Sequence, residues 1–236
     1  MENNSLVWLC ASYQFATTYS CSIPLSSQTS AQAMPGPGPA TIRLALVRNS
    51  LELFEVKYVR EILFPVIRSA EIKVQPPEKV AISNQVIRLY KSAEKISFLQ
   101  ESIGYREVAQ ANGLLKVYLK VPEPLLEAFT RVLEMVGYWG HADSLAYCLK
   151  VIQVEPDSRQ CALPLSTLLS RNLSLGSIFS CFVTEFRDTK VEWEQILPDN
   201  SQKQTNVLRT EIFGWPLVYI QQHTGGKLLQ FVPFNI

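Results

Sequence analysis

His141, Tyr138, Tyr105 and Arg106 are the residues whose types could carry metal-free chemistry on RNA. A ribonuclease of that kind removes the 2′-hydroxyl proton with a general base. It steadies the charge growing on phosphorus with Lys, Arg or backbone N–H groups. His141 would be the base, a tyrosine its companion and Arg106 the cation. The competing reading makes His141 a polar residue in the Gly-bounded loop "GYWGHADS". The second histidine, His223, lies in "HTGGK", which lacks the GxxxxGK[ST] phosphate loop and fits a hairpin turn at Gly225–Gly226. Cys10, Cys21, Cys148, Cys161 and Cys181 show no CxxC spacing and no cluster with the histidines, so no metal or other cofactor is expected. Their odd number reads as free thiols in a reducing compartment, the cytoplasm.

Binding rather than cleaving RNA is the other chemistry on offer. "GYREVAQANG" sets Tyr105 and Arg106 between glycines, a stacking ring beside a phosphate-seeking cation. Arg88, Lys91 and Lys95 precede them in the same basic stretch. Trp8, Tyr13 and Phe15 could also stack bases from a first strand. No RNP signature accompanies them, and strand aromatics more often face a core. The net charge is +1, but residues 1–120 hold thirteen Lys/Arg against nine Asp/Glu, and residues 121–236 nine against twelve. A basic first half suits a polyanion, although solvated faces produce the same imbalance.

With 236 residues, 47% apolar and 18% charged, the chain can bury a sizeable core and is not disordered. No apolar run reaches the roughly 20 residues that span a bilayer. "MENNSLVWLC" has no basic n-region, so neither a secretory leader nor a membrane partner is expected.

The elements that must position these residues follow from pattern. A strand is expected at 5–15, then a long polar loop, then a helix from Pro39 with Ile42, Ala45, Leu46, Asn49 and Leu53 on one face. A short helix, "VKYVREILF", stops at Pro65. "SAEIKVQPPEKVAIS" reads as strand, Pro-Pro break and strand; "GLLKVYLKVP" is a strand. "PLLEAFTRVLEMVG" is a helix burying Leu125, Phe129, Val132, Leu133 and Val136, and "SLAYCLKVIQV" is a strand. In order these give the α+β, ferredoxin-like βαββαβ pattern over residues 1–155, with an insertion at about 80–111. Residues 156–236 form a β-rich C-terminal extension.

One junction is oversized. "AMPGPGPATIRLAL" places Gly36 and Gly38 among three prolines directly before the first helix. Bare glycines let something approach the main chain closely, and prolines stiffen the path.

Several segments, in order, resemble the Cas-five family, the RAMP-superfamily subunits of type I CRISPR effector (Cascade) complexes. They are "MPGPGPATIRLAL", "AEIKVQPPEKVAISNQVIRLYK", "GYREVAQANGLLKVYLKVP" and "VGYWGHADSLAYC". The nearest versions are types I-A and I-B, including transposon-carried ones. The resemblance implies a non-catalytic subunit that grips the 5′ handle of crRNA and caps the effector backbone. Its partners would be the Cas-seven backbone subunit and the large, Cas-eight-type subunit, with target DNA near the PAM. It implies a thumb-like hairpin at about Asn84 to Asn112. Gly36 and Gly38 would admit the handle with Arg43 adding charge, an expectation that would fail if those corners were buried under the chain's own tail. Gly140 and His141 stand in a loop where the family commonly has Gly-[Arg/Lys]-x-x-Ser. A nuclease variant of the family uses a Tyr and a Lys-His pair. No Lys-His neighbour exists here, so a crRNA-processing endoribonuclease using His141 is the alternative and not the first reading.

Overall fold

The structure, a computed structural model, describes residues 5–24, 30–93, 96–170, 178–196, 207–223 and 225–235, and the side chains of these except 30, 87, 89–93 and 96–102.

Alternating apolar residues start β1 (Leu6–Phe15), whose Leu9, Ala11, Tyr13 and Phe15 turn into the core. Helix α1 (Pro39–Leu53) begins where Pro39 fixes the first turn and Ile42 donates back to the Gly38 carbonyl at 3.1 Å. Its Ile42, Ala45, Leu46 and Asn49 are buried, as their spacing predicts. The next helix does not stop at Pro65. It passes through a π turn at Val59–Leu63, with Phe64 donating to the Val59 carbonyl, and continues as α2 (Phe64–Ser69). Proline removes a donor, and at the start of a turn following a widened one that loss is tolerated. Then come β2 (Ile72–Gln75), β3 (Lys79–Ala93), β4 (Ile96–Asn112), β5 (Leu115–Pro122), α3 (Leu126–Glu134) and β6 (Ala146–Gln153).

The first sheet runs β2-β5-β1-β6, antiparallel throughout. With α1 and α3 between its strands in sequence, this is the ferredoxin-like arrangement. Phe129, Val132 and Leu133 of α3 pack onto it. Tyr13 donates to the Leu133 carbonyl at 2.6 Å, tying β1 to α3.

The segment between β2 and β5 is one long hairpin, β3 on β4, in register from Lys79–Asn112 to Ser92–Leu99. The C-terminal strands are β7 (Ile178–Phe186), β8 (Leu208–His223) and β9 (Gly226–Phe231). β8 is a single strand running through Pro216. β9 pairs with β3 from Gly226–Ser83 to Gln230–Lys79, so the tail and the hairpin base share a second sheet. Val183, Trp215 and Leu217 join the same core cluster as Leu46 and Leu115, while Leu163, Leu168 and Phe234 form a smaller cluster of their own.

That packing answers the Gly-Pro question and corrects an expectation. Gly36 and Gly38 are buried. A methyl group at Gly36 would meet Leu115 Cδ1 at 3.1 Å and the Trp215 ring at 3.5 Å; one at Gly38 would meet Val183 Cβ at 3.4 Å. The bare main chain admits the protein's own tail, and guide RNA has no access to these glycines. Arg43 is corrected with them. It is buried, with Nε 2.9 Å from Glu185 Oε1 on β7 and a further bond to the Ile67 carbonyl. Its charge is neutralised inside the fold and does not reach an RNA surface.

Candidate nucleic-acid interface

Strand alternation separates two residues that the sequence places side by side. Tyr105 faces the same way as its cross-strand partner Val86 and as the Arg88–Ile103 pair. All four side chains are exposed, Tyr105 at 59%. Toward the hairpin base the same face turns inward as Ile82 and Ala109, which are buried. The outer half of β3–β4 therefore presents an aromatic ring, an arginine and two aliphatic side chains on one flank. Lys91 lies on β3 opposite Gln100, but its side chain is outside the described set, and Lys95 lies outside the described residues altogether.

Arg106 points the other way, toward the loop between α3 and β6. Trp139 and Ser144 hold that loop: Trp139 N–H donates to the Ser144 carbonyl at 3.2 Å, and Ser144 Oγ accepts from Ser20 N–H at 2.9 Å. Trp139 is fully buried and meets Tyr13 edge-on. Gly140 turns the chain with φ +74°, a left-handed conformation that a side chain would strain. Between these anchors Gly140, His141, Ala142 and Asp143 are exposed.

The loop and the hairpin meet through Arg106 and Asp143, with Nη1 3.7 Å from Oδ2. His141 Nε2 lies 3.4 Å from Ser22 Oγ. Thus Arg106, Gly140 and His141 gather at one corner, Tyr105 and Arg88 occupy the hairpin flank, and Gly36, Gly38 and Arg43 lie inside. Tyr138, a candidate for acid–base work, sits under the Arg48 guanidinium at 3.6 Å. Asp143 bears directly on Arg106, a contact that spacing alone does not reveal because hairpin and loop are far apart in sequence.

The strand aromatics are not stacking platforms. Tyr13 and Phe15 lie in the core, and Trp8 packs on the other sheet face with Cys10, Tyr118 and Cys161. Among the described residues, no group of three or more His, Cys, Asp and Glu could hold a metal ion, and no helix is long and apolar enough to cross a membrane.

No family model matches the chain. A curated relative, "CRISPR-associated protein Cas5" of Archaeoglobus fulgidus, is 25% identical over 156 residues, 64% of this chain and 68% of the relative. Among solved structures, a CRISPR protein from Archaeoglobus fulgidus overlaps 96% of this chain and 92% of its own, at 10% identity and a TM-score of 0.48. A chain of the Type III-B Cmr-beta complex bound to cognate target RNA overlaps 64% of this chain and 61% of its own, at 8% identity and a TM-score of 0.51. The second overlap is one of fold alone. The sequence relative supports the Cas-five family.

Proposed function

We propose that this relative of the Cas-five proteins is a non-catalytic subunit of a CRISPR effector ribonucleoprotein, holding the repeat-derived 5′ handle of the guide RNA in the cytoplasm. The observation that carries it is the hairpin flank with Tyr105, Arg88, Val86 and Ile103 exposed together. A ring and a guanidinium on one open strand face suit unstacked bases and their phosphates. The Gly140–Asp143 loop, with Arg106 as its cation, offers a second surface on the opposite flank of the same hairpin. The burial of Gly36, Gly38 and Arg43 moves the proposed grip away from the Gly-Pro junction to this corner.

His141 supports binding over cleavage. Among the described residues its side chain has a serine hydroxyl as neighbour, while Arg106 is engaged by Asp143 and Tyr138 is covered by Arg48. The adjoining Cas-seven backbone subunit, the large subunit and target DNA near the PAM are the partners that the family resemblance suggests. The exposed apolar residues of the β6 edge, Tyr147, Leu149 and Ile152, suit protein contact.

Electrophoretic binding to crRNA with and without its 5′ handle tests the reading. The handle-bearing RNA should bind at least tenfold more tightly; equal affinity would contradict it. Incubation of repeat RNA with the protein in EDTA should leave the RNA intact. A discrete cut abolished by His141→Ala would replace this reading with the nuclease one.

A further inference from the structure

The sheet face turned away from α1 and α3 carries lysines. Its rows follow from register: Gln75, Lys116, Ser12 and Lys150 lie side by side across all four strands, and Lys73, Tyr118, Cys10 and Ile152 form the next row. Trp8 and Lys120 continue it beyond.

The two ends of this face are treated differently. At one end Lys73 and Lys120 sit over the Trp8 ring, at 5.2 and 5.5 Å, and both reach the Glu71 carboxylate, at 3.5 and 3.7 Å. These two cations are satisfied within the protein. At the other end Lys116 and Lys150 flank the buried Ser12, and neither has a carboxylate within ion-pair distance among the described residues. They open into a cleft of about 550 Å³, walled by Pro76, Gly113, Leu114 and Phe231, with Glu78 on the rim. The wall is tightly built: Gly113 has φ +95°, and a methyl group there would come within 2.9 Å of the Glu78 nitrogen. Phe231 N–H holds the Glu78 carbonyl at 2.8 Å from the opposite side.

Neighbouring strands lie about 4.8 Å apart, so backbones carrying the two lysines are about 10 Å apart with a serine midway. Two long lysine side chains standing on either side of a serine can reach one phosphate group from both flanks. The cleft volume is that of a nucleotide rather than a bare ion, and Phe231 supplies an apolar wall for a base.

We propose that this cleft binds one nucleotide unit, its phosphate held by Lys116 and Lys150 and its base against Phe231. The site lies on a different face from the hairpin corner and stands or falls independently of the handle reading. The nucleotide's source is either a nucleic-acid strand crossing the sheet or a free mononucleotide, and both present the same phosphate and base.

The test uses the full chain with adenosine 5′-monophosphate, adenosine, and a fluorescent single-stranded oligoribonucleotide without a handle. Adenosine 5′-monophosphate should bind by calorimetry and adenosine should not. The double variant Lys116→Gln/Lys150→Gln should weaken monophosphate binding about tenfold or more, and Glu78→Gln, which removes the one rim carboxylate, should tighten it. If the strand is the source, the double variant also weakens the oligoribonucleotide and lowers its log–log salt slope by about 0.7, the share of one phosphate. If the free nucleotide is the source, oligoribonucleotide affinity is unchanged. Both outcomes uphold the cleft. Failure of the monophosphate to bind the unsubstituted chain overturns it, as does binding unaffected by either the lysine or the Glu78 substitution.

Discussion

Arg43 on α1 and Glu185 on β7 form a two-pronged pair, Nε to Oε1 at 2.9 Å and Nη2 to Oε2 at 3.2 Å. Both side chains are largely out of water, at 8% and 16% exposure. The pair therefore fastens the first helix to the C-terminal strands. Arg43→Met leaves the Glu185 carboxylate without its partner and should cost about 3 kcal/mol, a fall of roughly 6–12 °C in Tm. RNA affinity measured well below that Tm should not change. A loss of RNA affinity with Tm intact would put Arg43 back at the surface.

Gly36 gives a parallel expectation. Valine there must displace Leu115 and the Trp215 ring, which lie 3.1 and 3.5 Å from the position of a first methyl group. Thermal unfolding of Gly36→Val should show a loss of about 1–3 kcal/mol. Binding of handle RNA by the remaining folded protein should match the unsubstituted chain.

Asp143 restrains Arg106 at the loop–hairpin corner, in a pair whose carboxylate is 63% exposed. Asp143→Asn removes one negative charge from the proposed RNA surface and frees the guanidinium. Handle RNA should bind about three- to tenfold more tightly, with a steeper salt dependence. Arg106→Gln should move both quantities in the opposite direction. Fluorescence anisotropy across a salt series reads the two effects together.

Tyr105 is the exposed ring of the hairpin flank. Tyr105→Ala should weaken handle RNA by about 1–3 kcal/mol, the worth of a stacked base. Tyr105→Phe keeps the ring and should restore most of that loss. Equal losses in the two variants would mean that the hydroxyl, not the stack, carries the contact.

The thiols report on packing and on alkaline stability. Cys10, Cys21, Cys161 and Cys181 are buried and Cys148 is half-buried. A thiol-specific disulfide reagent at pH 8 should label Cys148 first and the others only on unfolding. Burial pushes Cys21, Cys161 and Cys181 from an ordinary value of 9.0 up to about 12. The unfolded chain releases these protons near pH 9 while the folded chain keeps them. The stability they contribute is thus whole below pH 9 and declines as pH rises toward 12. Denaturant melts between pH 7 and 11 should show that decline, and replacing Cys181 by Ala should reduce its slope.

Local patterns were enough for the ferredoxin-like frame. Ile42, Ala45 and Leu46 on α1 and Phe129, Val132 and Leu133 on α3 carry helical periodicity, and the strands between them alternate. Long-range packing was not legible. Nothing local to Gly36 tells an incoming tail from an incoming RNA, because a glycine permits either, and Arg43 carries no mark of Glu185, 142 residues away. Tyr105 and Arg106 looked like one contact until strand alternation sent them to opposite flanks. The π turn before Pro65 was hidden for a similar reason: proline signals a break, and only the surrounding packing decides whether the helix absorbs it.

Ultraviolet crosslinking of handle-bearing crRNA to the full chain, with the linked peptides identified by mass spectrometry, tests the central claim most directly. Handle nucleotides should link within Val86–Arg106 and Gly140–Asp143, and a handle-less RNA should lose those links. Links from the handle confined to other surfaces, or links at the hairpin that persist without the handle, would contradict the account.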